Sequence, residues 1–141
     1  MAAFVDTNIL IYAFADTSSA SADKVPIARD LLASLSDQGE LVLSAQVLSE
    51  FAQNAMRKAN PPLSLTKVTE RVSELSRETV IAIDSSLVQL ALQRAAQSRI
   101  GYWDALIVEA AIRSGATILY TEDMHHGTHY GPLELRNPFL G

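Results

Sequence analysis

The chain has 141 residues and no cysteine, which excludes disulfide scaffolds, thiolate zinc sites and cysteine nucleophiles. Hydrophobic residues make up 48% of the sequence and charged residues 19%, as in ordinary globular proteins, and the length predicts one domain over residues 1–141. The net charge of −5 argues against a whole-surface binder of polyanions, so contact with nucleic acid needs a local basic patch or a bound cation.

The first half of the chain predicts short buried strands that alternate with amphipathic helices. It begins without the basic segment of a signal peptide, and no apolar run is long enough to cross a bilayer, so we expect a cytoplasmic protein without membrane contact. The predicted strands are Phe4-Val5 and Leu41-Val42-Leu43. The predicted helices are one opening at Ile9-Leu10-Ile11-Tyr12, one carrying Val25 to Leu35 with Pro26 in its first turn and Gly39 at its end, and one capped by Ser44.

The second half continues this alternation after a break at Asn60-Pro61-Pro62, which we interpret as a corner between two helices. The remaining predicted elements are a helix capped by Ser64 with Leu65, Val68, Val72 and Leu75 on one side, a strand over 79–83, a helix capped by Asp84, a helix beginning at Asp104 and ending at Gly115, a strand over Thr117 to Tyr120, and an edge strand at Leu133-Glu134-Leu135. Strands alternating with helices predict an α/β fold, with a mostly parallel central sheet flanked by helices on both faces.

Four acidic residues share one position in this predicted fold, although each of them except Asp6 has an ordinary structural explanation when taken alone. Asp6 directly follows a buried strand, and Asp123 follows the last buried strand by three residues. Glu50 lies on the helix after the second strand, and Asp104 lies in the first turn of an apolar helix. These places all lie at the carboxyl edge of the sheet, where open α/β folds form their sites.

Four carboxylates that converge would repel one another strongly. At separations of about 6 Å and an effective dielectric constant near 20, each pair costs roughly 3 kcal/mol, so six pairs approach about 15 kcal/mol as an upper bound. The total stability of a domain is only about 5–15 kcal/mol. Converging acids must therefore take up protons or bind a hard divalent cation, and oxygen ligands favour Mg²⁺ or Mn²⁺ over zinc.

The motifs around these acids resemble those of the PIN domain family. The resemblance covers essentially the whole chain and rests on four segments in order, FVDTNILIY at 4–12, LSEF at 48–51, YWDALI at 102–107 and LYTED at 119–123. The stretch from His126-Gly127 to Asn137-Pro138-Phe139 resembles the tail of VapC-type toxins. The resemblance implies a PIN-like three-layer fold and a metal-dependent ribonuclease that leaves a 5′-phosphate and a 3′-hydroxyl. Such proteins are usually toxins that form homodimers and are silenced by a cognate antitoxin laid across the active site.

The resemblance also assigns roles residue by residue. The acidic quartet that would carry catalysis and hold one or two Mg²⁺ or Mn²⁺ ions comprises Asp6, Glu50, Asp104 and Asp123. Asn8 and Thr121 match the polar and hydroxyl positions that support this quartet. Glu122 stands beside Asp123, and either carboxylate is within reach of the metal by sequence; we favour Asp123, which occupies the place of the motif.

Basic residues near the predicted site are candidates for contact with RNA phosphates. Arg57 and Lys58 lie at the end of the helix that carries Glu50, and Lys67 and Arg71 follow the proline break. Compensation of the helix dipole explains Arg57 and Lys58 equally well.

An aromatic residue, three histidines and an apolar surface each allow two interpretations. Trp103 stacks on a base or packs against the start of the Asp104 helix, and we favour packing. His125, His126 and His129 share a loop that lacks a fourth ligand, so we favour loop or contact roles over a zinc site. Tyr12, Phe14 and residues 65–75 offer an apolar surface for a dimer or an antitoxin helix, or belong to the core.

Other functions fit the motifs less well. A phosphohydrolase of the haloacid dehalogenase type needs a second Asp where Asn8 stands, and a receiver-like domain needs paired acids after the first strand and a Lys after the last. P-loop and dinucleotide-binding glycine motifs are absent. The main alternative is a catalytically idle PIN domain that binds RNA or protein, and the presence of all four acids favours activity. The sequence leaves open the RNA target, the antitoxin, the oligomeric state and the number of ions, and we expect specificity to lie in loops such as 15–22 and 124–132.

Overall fold

The structure, a computed structural model, describes residues 1–15 and 19–140. These residues form a six-stranded sheet with the spatial order β3-β2-β1-β4-β6-β5. All neighbouring strands are parallel except β5 and β6, which pair as an antiparallel hairpin. The strands are β1 (Ala3–Val5), β2 (Leu41–Ser44), β3 (Thr79–Ile81), β4 (Ile118–Tyr120), β5 (His129–Tyr130) and β6 (Leu133–Arg136).

Helices cover both faces of this sheet. They are α1 (Thr7–Phe14), α2 (Lys24–Asp37), α3 (Ala45–Arg57), α4 (Leu65–Leu75), α5 (Ser85–Ser98) and α6 (Tyr102–Arg113), with a short 3₁₀ turn at Ser19–Ser21. α1 packs on α2 and α3, α3 packs on α4, and α5 packs on α6. Because the chain runs from β1 through β2 to β3 and then returns past β1 to β4, right-handed crossovers place α1–α4 on one face and α5–α6 on the other. The predicted three-layer α/β fold is therefore confirmed.

Capping residues set several of these boundaries as the sequence predicts. Ser44, Ser64 and Asp84 each accept a hydrogen bond from the backbone N–H three residues later, so each satisfies a free donor at a helix start. Gly39 and Gly115 follow the ends of α2 and α6 with φ angles of 69° and 80°, a conformation that glycine adopts without strain. No helix in the described part of the chain is long and apolar enough to span a membrane.

Two strand predictions need correction. The strand predicted over 79–83 ends at Ile81, because the following residues lead into the Asp84 cap of α5. The strand predicted at the sheet edge, Leu133-Glu134-Leu135, extends to Arg136 as β6 and lies inside the sheet between β4 and β5. The two-residue strand His129–Tyr130 folds back on it and takes the edge position.

Two helix predictions also differ from the structure. The helix predicted to begin at Asp104 begins at Tyr102, because the extended backbone of Gly101 already serves as the N-cap. Asp104 nevertheless lies in the first turn. Leu65 was expected on the apolar side of its helix, but it is the first residue of α4 and is 70% exposed, while Val68 and Leu75 form the buried face.

The two central strands position the site. Phe4 and Val5 of β1 and Leu119 of β4 are fully buried between the helical layers, as in a sheet covered on both faces. Val5 pairs with Tyr120, and the backbone N–H of Asp6 donates to the Tyr120 carbonyl at 3.0 Å, which extends this pairing by one residue. The chain segments that leave β1 and β4 therefore start side by side at the carboxyl edge, where a crevice forms.

Candidate functional site

A cleft of about 130 Å³ opens at the carboxyl edge of β1 and β4. All four predicted acids line it: Asp6, Glu50, Asp104 and Asp123. Asp6 leaves β1, Glu50 projects from α3, Asp104 comes from the first turn of α6, and Asp123 follows β4. The fold thus brings to one cleft four carboxylates that lie far apart along the chain.

Asp6 is the most buried of these acids, with 6% of its surface exposed. Its Oδ1 accepts from the Thr7 backbone N–H at 2.7 Å, and its Oδ2 accepts from the Thr121 hydroxyl at 2.8 Å. The pKa of Asp6 is raised to about 6: burial is the largest cause, the negative charges of Asp123 and Glu50 add to the rise, and the two hydrogen bonds oppose it. This carboxylate is therefore costly to ionise in the folded protein.

The two supporting residues contact the acids directly. The buried Thr121 hydroxyl accepts from the backbone N–H of Asp123 at 3.3 Å while it donates to Asp6. The Asn8 side-chain amide donates to Asp123 Oδ2 at 2.7 Å. Burial raises the pKa of Asp123, the charges of Glu122 and Asp104 add to that rise, and the charge of Lys24 opposes it. Asn8 and Thr121 thus connect the ends of β1 and β4 through the acids that follow them.

Glu122 has different surroundings from Asp123. It forms an ion pair with Lys24 and accepts from the Tyr12 hydroxyl at 2.5 Å. The Lys24 ammonium also lies 5.2 Å from the ring centre of Tyr12 and 5.5 Å from that of Phe139. Because both Glu122 oxygens have partners outside the cleft and Asp123 lines it, the geometry favours Asp123 as the fourth acid of the site.

Three residues of the cleft were missed from the sequence. The Thr7 hydroxyl donates to Glu50 Oε1 at 3.0 Å, and Gln46 and Asn54 line the cleft on either side of Glu50 along α3. A signal was present, because residues four apart share one face of a helix, and Gln46, Glu50 and Asn54 have that spacing. Thr7 directly follows Asp6 in the first motif.

Trp103 does not have the packing role that we favoured. Its side chain is 64% exposed and lines the acidic cleft, with an edge contact to Tyr102 at 5.0 Å between ring centres. The start of α6 is held by another contact, in which the Gln46 side-chain amide donates to the Trp103 carbonyl at 3.1 Å. The indole ring is therefore largely free to meet another molecule.

The candidate basic residues separate into three groups. Lys58 lines a second groove beside the cleft, whereas Arg57 is exposed in the last turn of α3 and is not among the described residues that line it. Lys67 pairs with Glu70 at 3.6 Å on α4. Arg71 pairs with Glu74 at 3.1 Å and lies over the ring of Phe14, away from the acids. Of these four candidates, Lys58 is the one that lines a groove adjoining the acidic cleft.

The predicted loop 124–132 is not loop throughout, because it contains the two-residue strand β5, whose first residue is His129. His126 accepts a hydrogen bond at Nδ1 from the Asn137 backbone N–H at 2.9 Å, which joins its loop to the C-terminal segment. His125 and His129 are exposed. Residues 16–18 of the loop predicted over 15–22 lie outside the described residues.

The cleft has the donor chemistry of a divalent metal site but not its compact geometry. Within residues 1–15 and 19–140, no three acidic or histidine side chains lie close enough together to hold an ion as they stand. The hydrogen-bond partners of Asp6, Glu50 and Asp123 are neutral, namely a backbone N–H, hydroxyls and an amide. An all-oxygen set of this kind suits Mg²⁺ or Mn²⁺, and binding would require the side chains to draw closer together.

The family to which the chain belongs follows from its sequence. The sequence profile of the PIN domain matches residues 3–127. The chain belongs to the PIN domain family. Among curated proteins, a sequence comparison finds no match.

Three solved structures show the same fold as this PIN domain. VapC20 of Mycobacterium tuberculosis, a sarcin-ricin loop cleaving toxin, matches with a TM-score of 0.65 and 17% identity over 86% of this chain and 90% of its own. VapBC2 from Rickettsia felis, bound to a DNA fragment from their promoter, matches with a TM-score of 0.65 and 21% identity over 97% and 98%. FitAB bound to an IR36 DNA fragment matches with a TM-score of 0.69 and 16% identity over 97% and 95%.

Proposed function

We propose that this PIN domain is a metal-dependent endoribonuclease that hydrolyses RNA phosphodiester bonds as the toxin of a VapBC-type pair. The observation that carries the proposal is the cleft lined by Asp6, Glu50, Asp104 and Asp123, in which the hydrogen-bond partners of Asp6, Glu50 and Asp123 are neutral. The fold shared with VapC20, a toxin that cleaves the sarcin-ricin loop, supports the same chemistry. We place this activity in the cytoplasm.

All four acids would take part in holding the ion. Asp6, Glu50 and Asp104 would hold one or two Mg²⁺ or Mn²⁺ ions, and Asp123 would complete the site directly or through water. A bound ion lowers the pKa of a coordinated water and neutralises charge on the phosphoryl group. It also offsets the repulsion between this acidic protein and RNA.

The neutral residues of the cleft orient the acids without cancelling their charge. Thr121 holds the Asp6 carboxylate and the Asp123 backbone in one arrangement, because its hydroxyl bonds to both. Thr7 orients Glu50, and Asn8 orients Asp123. A Lys or Arg at any of these positions would neutralise a carboxylate that the ion needs. Because the residues present are neutral, the negative charge of the acids stays available for the metal.

A second, separate groove suits the proposed antitoxin. It has a volume of about 480 Å³, lies between α1, α2 and α4, and includes Phe14, Leu32 and Leu75 beside Arg71 and Glu74. We propose that an apolar antitoxin segment packs here; VapBC2 and FitAB, which share the fold, are solved as paired assemblies on DNA. Arg71→Glu should weaken antitoxin capture in a pull-down without changing RNA cleavage. We also expect a homodimer, which light scattering would detect.

The direct test is cleavage of a mixed single-stranded RNA pool with Mg²⁺, Mn²⁺ or EDTA. Protein freed of any copurified antitoxin should cleave with either ion and not with EDTA. Asp104→Asn should lower the rate at least about 100-fold, because it removes a charged ligand from the cleft. The matched control is Asp37→Asn, an exposed acid at the end of α2, on the opposite edge of the sheet.

Two outcomes contradict the proposal. If wild type and Asp104→Asn are equally inactive with both ions, the chain is a PIN domain that binds without cleaving. If both cleave at the same rate, the acidic cleft does not carry the activity, and a contaminating ribonuclease explains the cleavage. Preserved activity of Asp37→Asn is needed to exclude a general effect of charge.

A further inference from the structure

A groove of about 520 Å³ adjoins the acidic cleft along α3. The two cavities share Gln46, Glu50, Asn54 and Trp103 in their linings, so they form one continuous depression. We propose that this groove binds the stretch of single-stranded RNA next to the scissile phosphate, with a base stacked on Trp103. The inference rests on the proposed ribonuclease function and assigns where its substrate lies.

One face of α3 forms the wall of this groove. Gln46, Glu50, Asn54 and Lys58 recur at every fourth residue and therefore lie in one row along the helix. Lys58 follows Glu50 by eight positions, which is about 12 Å along the helix axis. A strand whose scissile phosphate lies at the acids would thus place a later phosphate beside the Lys58 ammonium, where opposite charges attract.

Trp103 stands where the two cavities meet. It is the only tryptophan of the chain, and 64% of its side chain is exposed. Unpaired bases stack on exposed aromatic rings whatever their sequence, and one such contact changes affinity by roughly 10- to 100-fold. An exposed indole at the mouth of an acidic cleft is therefore in the place where a stacked base would hold the strand.

Gln46 supplies a second, independent observation. Gln46 is only 5% exposed, and its Nε2 donates to the Trp103 carbonyl. This hydrogen bond fixes the orientation of the amide, because the reversed amide would place its oxygen against the carbonyl oxygen. The Gln46 Oε1 is buried, and no described residue donates a hydrogen bond to it. Buried acceptors seldom lack a donor, so we assign this oxygen to a donor of the nucleotide, a base N–H or a ribose hydroxyl.

The lining of the groove offers contacts of the kind that single-stranded RNA uses. Ser49, Gln53 and Asn54 present hydroxyl and amide groups, and Lys58 presents a cation, beside the exposed side chains of Trp103 and Ile83. Stacking on one ring among polar donors is the pattern of single-strand binding.

Because Trp103 is the only tryptophan, its fluorescence reports the proposed contact directly. The experiment titrates a short single-stranded RNA into Asp6→Asn protein with Mg²⁺, a background in which we expect no cleavage. The RNA should quench the fluorescence, and an RNA of the same length with abasic positions should quench it much less. This readout does not depend on catalysis, so it separates failure of this inference from failure of the proposed function.

Matched variants test each part of the groove by the binding of labelled RNA. Trp103→Ala should weaken binding roughly 10- to 100-fold and raise KM more than it lowers kcat, and Trp103→Phe should restore most of the loss. Lys58→Ala should weaken binding and reduce the slope of affinity against salt by about one. The controls are Leu92→Ala, an exposed apolar residue on α5, and Arg77→Ala, an exposed cation at the amino edge of the sheet.

Three results decide the proposal. Quenching by base-bearing RNA together with weaker binding by Trp103→Ala supports it, even if the wild type proves unable to cleave. Unchanged fluorescence and wild-type affinity in Trp103→Ala overturn it, even if cleavage is confirmed. Fluorescence that changes with protein concentration and not with RNA also overturns it, because a second copy of the chain then covers Trp103.

Discussion

Two adjacent acids at the end of β4 have opposite surroundings. Glu122 lies against Lys24 and the Tyr12 hydroxyl, and the Lys24 ammonium lies near the ring of Phe139. Asp123, the next residue, lines the acidic cleft and has only the Asn8 amide on its carboxylate. Lys24 forms an ion pair with Glu122, whereas it acts on Asp123 only through its charge, without a direct contact.

This difference shows that two carboxylates adjacent in the chain can have different roles. The Lys24–Glu122–Tyr12 cluster joins the segment after β4 to α1 and α2, and so determines where the Asp123 backbone lies. Asp123, like Asp6, keeps a negative charge that raises the free energy of the folded protein. The ion-paired Glu122 stabilises the fold, and the acids of the cleft keep the negative charge that a bound cation would neutralise.

The largest expected effect comes from Asp6→Asn. Its pKa is raised from 3.8 to about 6, so the folded protein holds the proton more tightly than the unfolded chain. The stability that this proton supplies is fully present below about pH 4 and is lost as the pH rises through about 6. Two pKa units correspond to about 3 kcal/mol as an upper value. Asp6→Asn should therefore raise the free energy of unfolding at pH 7 by about 1–3 kcal/mol while it abolishes cleavage.

Urea unfolding at pH 4 and pH 7 checks this prediction. The gain of Asp6→Asn over wild type should be present at pH 7 and largely lost at pH 4, where Asp6 is protonated in the folded wild type and about half protonated in the unfolded chain. The same experiment on Asp37→Asn should give no gain at either pH, because that acid is exposed. A gain of equal size at both values would mean that the ionised Asp6 carboxylate is not the source of the strain.

A paired substitution at the two adjacent acids should give the next largest effect. Asp123→Asn should lower the cleavage rate by about 10- to 100-fold with little loss of stability, because it removes charge from the cleft. Glu122→Gln should retain most of the activity and lower the melting temperature, because Lys24 loses its partner. The cleavage rates and melting curves of both variants show which of the two acids belongs to the catalytic site. The reverse pattern would assign the fourth acidic role to Glu122.

The smallest expected effect comes from Lys24→Met, which leaves Glu122 without its cation. Lys24 also contacts two aromatic rings, so we expect a loss of about 1–2 kcal/mol in the free energy of unfolding. Thermal unfolding measures it, with Lys67→Met as the control in an exposed pair with Glu70. A loss no larger than that of the control would show that the cluster contributes no more than an ordinary surface pair.

Much of the fold was predictable because local signals agreed with it. The caps Ser44, Ser64 and Asp84 mark helix starts, and the buried runs ending at Val5 and Tyr120 mark central strands. The inner place of β6 was not predictable, since nothing in Leu133–Arg136 itself shows that residues 129–130 fold back to cover its edge. Strand order depends on pairing between distant segments, which periodicity does not encode.

The candidate site was predictable in its acids and not in their surroundings. Asp6, Glu50, Asp104 and Asp123 follow strands or begin helices, so their common edge follows from the α/β pattern. The contacts that distinguish Asp123 from Glu122 join residues about a hundred positions apart. The exposure of Trp103 was likewise hidden, because an aromatic residue beside an apolar helix reads as core.

The sequence by itself determined the alternation of strands and helices, the helix boundaries set by caps and glycines, and the four acids at one edge. These features depend on residues close together in the chain, whose propensities and spacing act locally. Only the tertiary structure decided which acid meets a cation, which edge β5 covers, and that the row along α3 continues from the acids to Lys58 beside an open indole ring. Those outcomes depend on which distant surfaces meet, and burial and charge compensation exist only once they do.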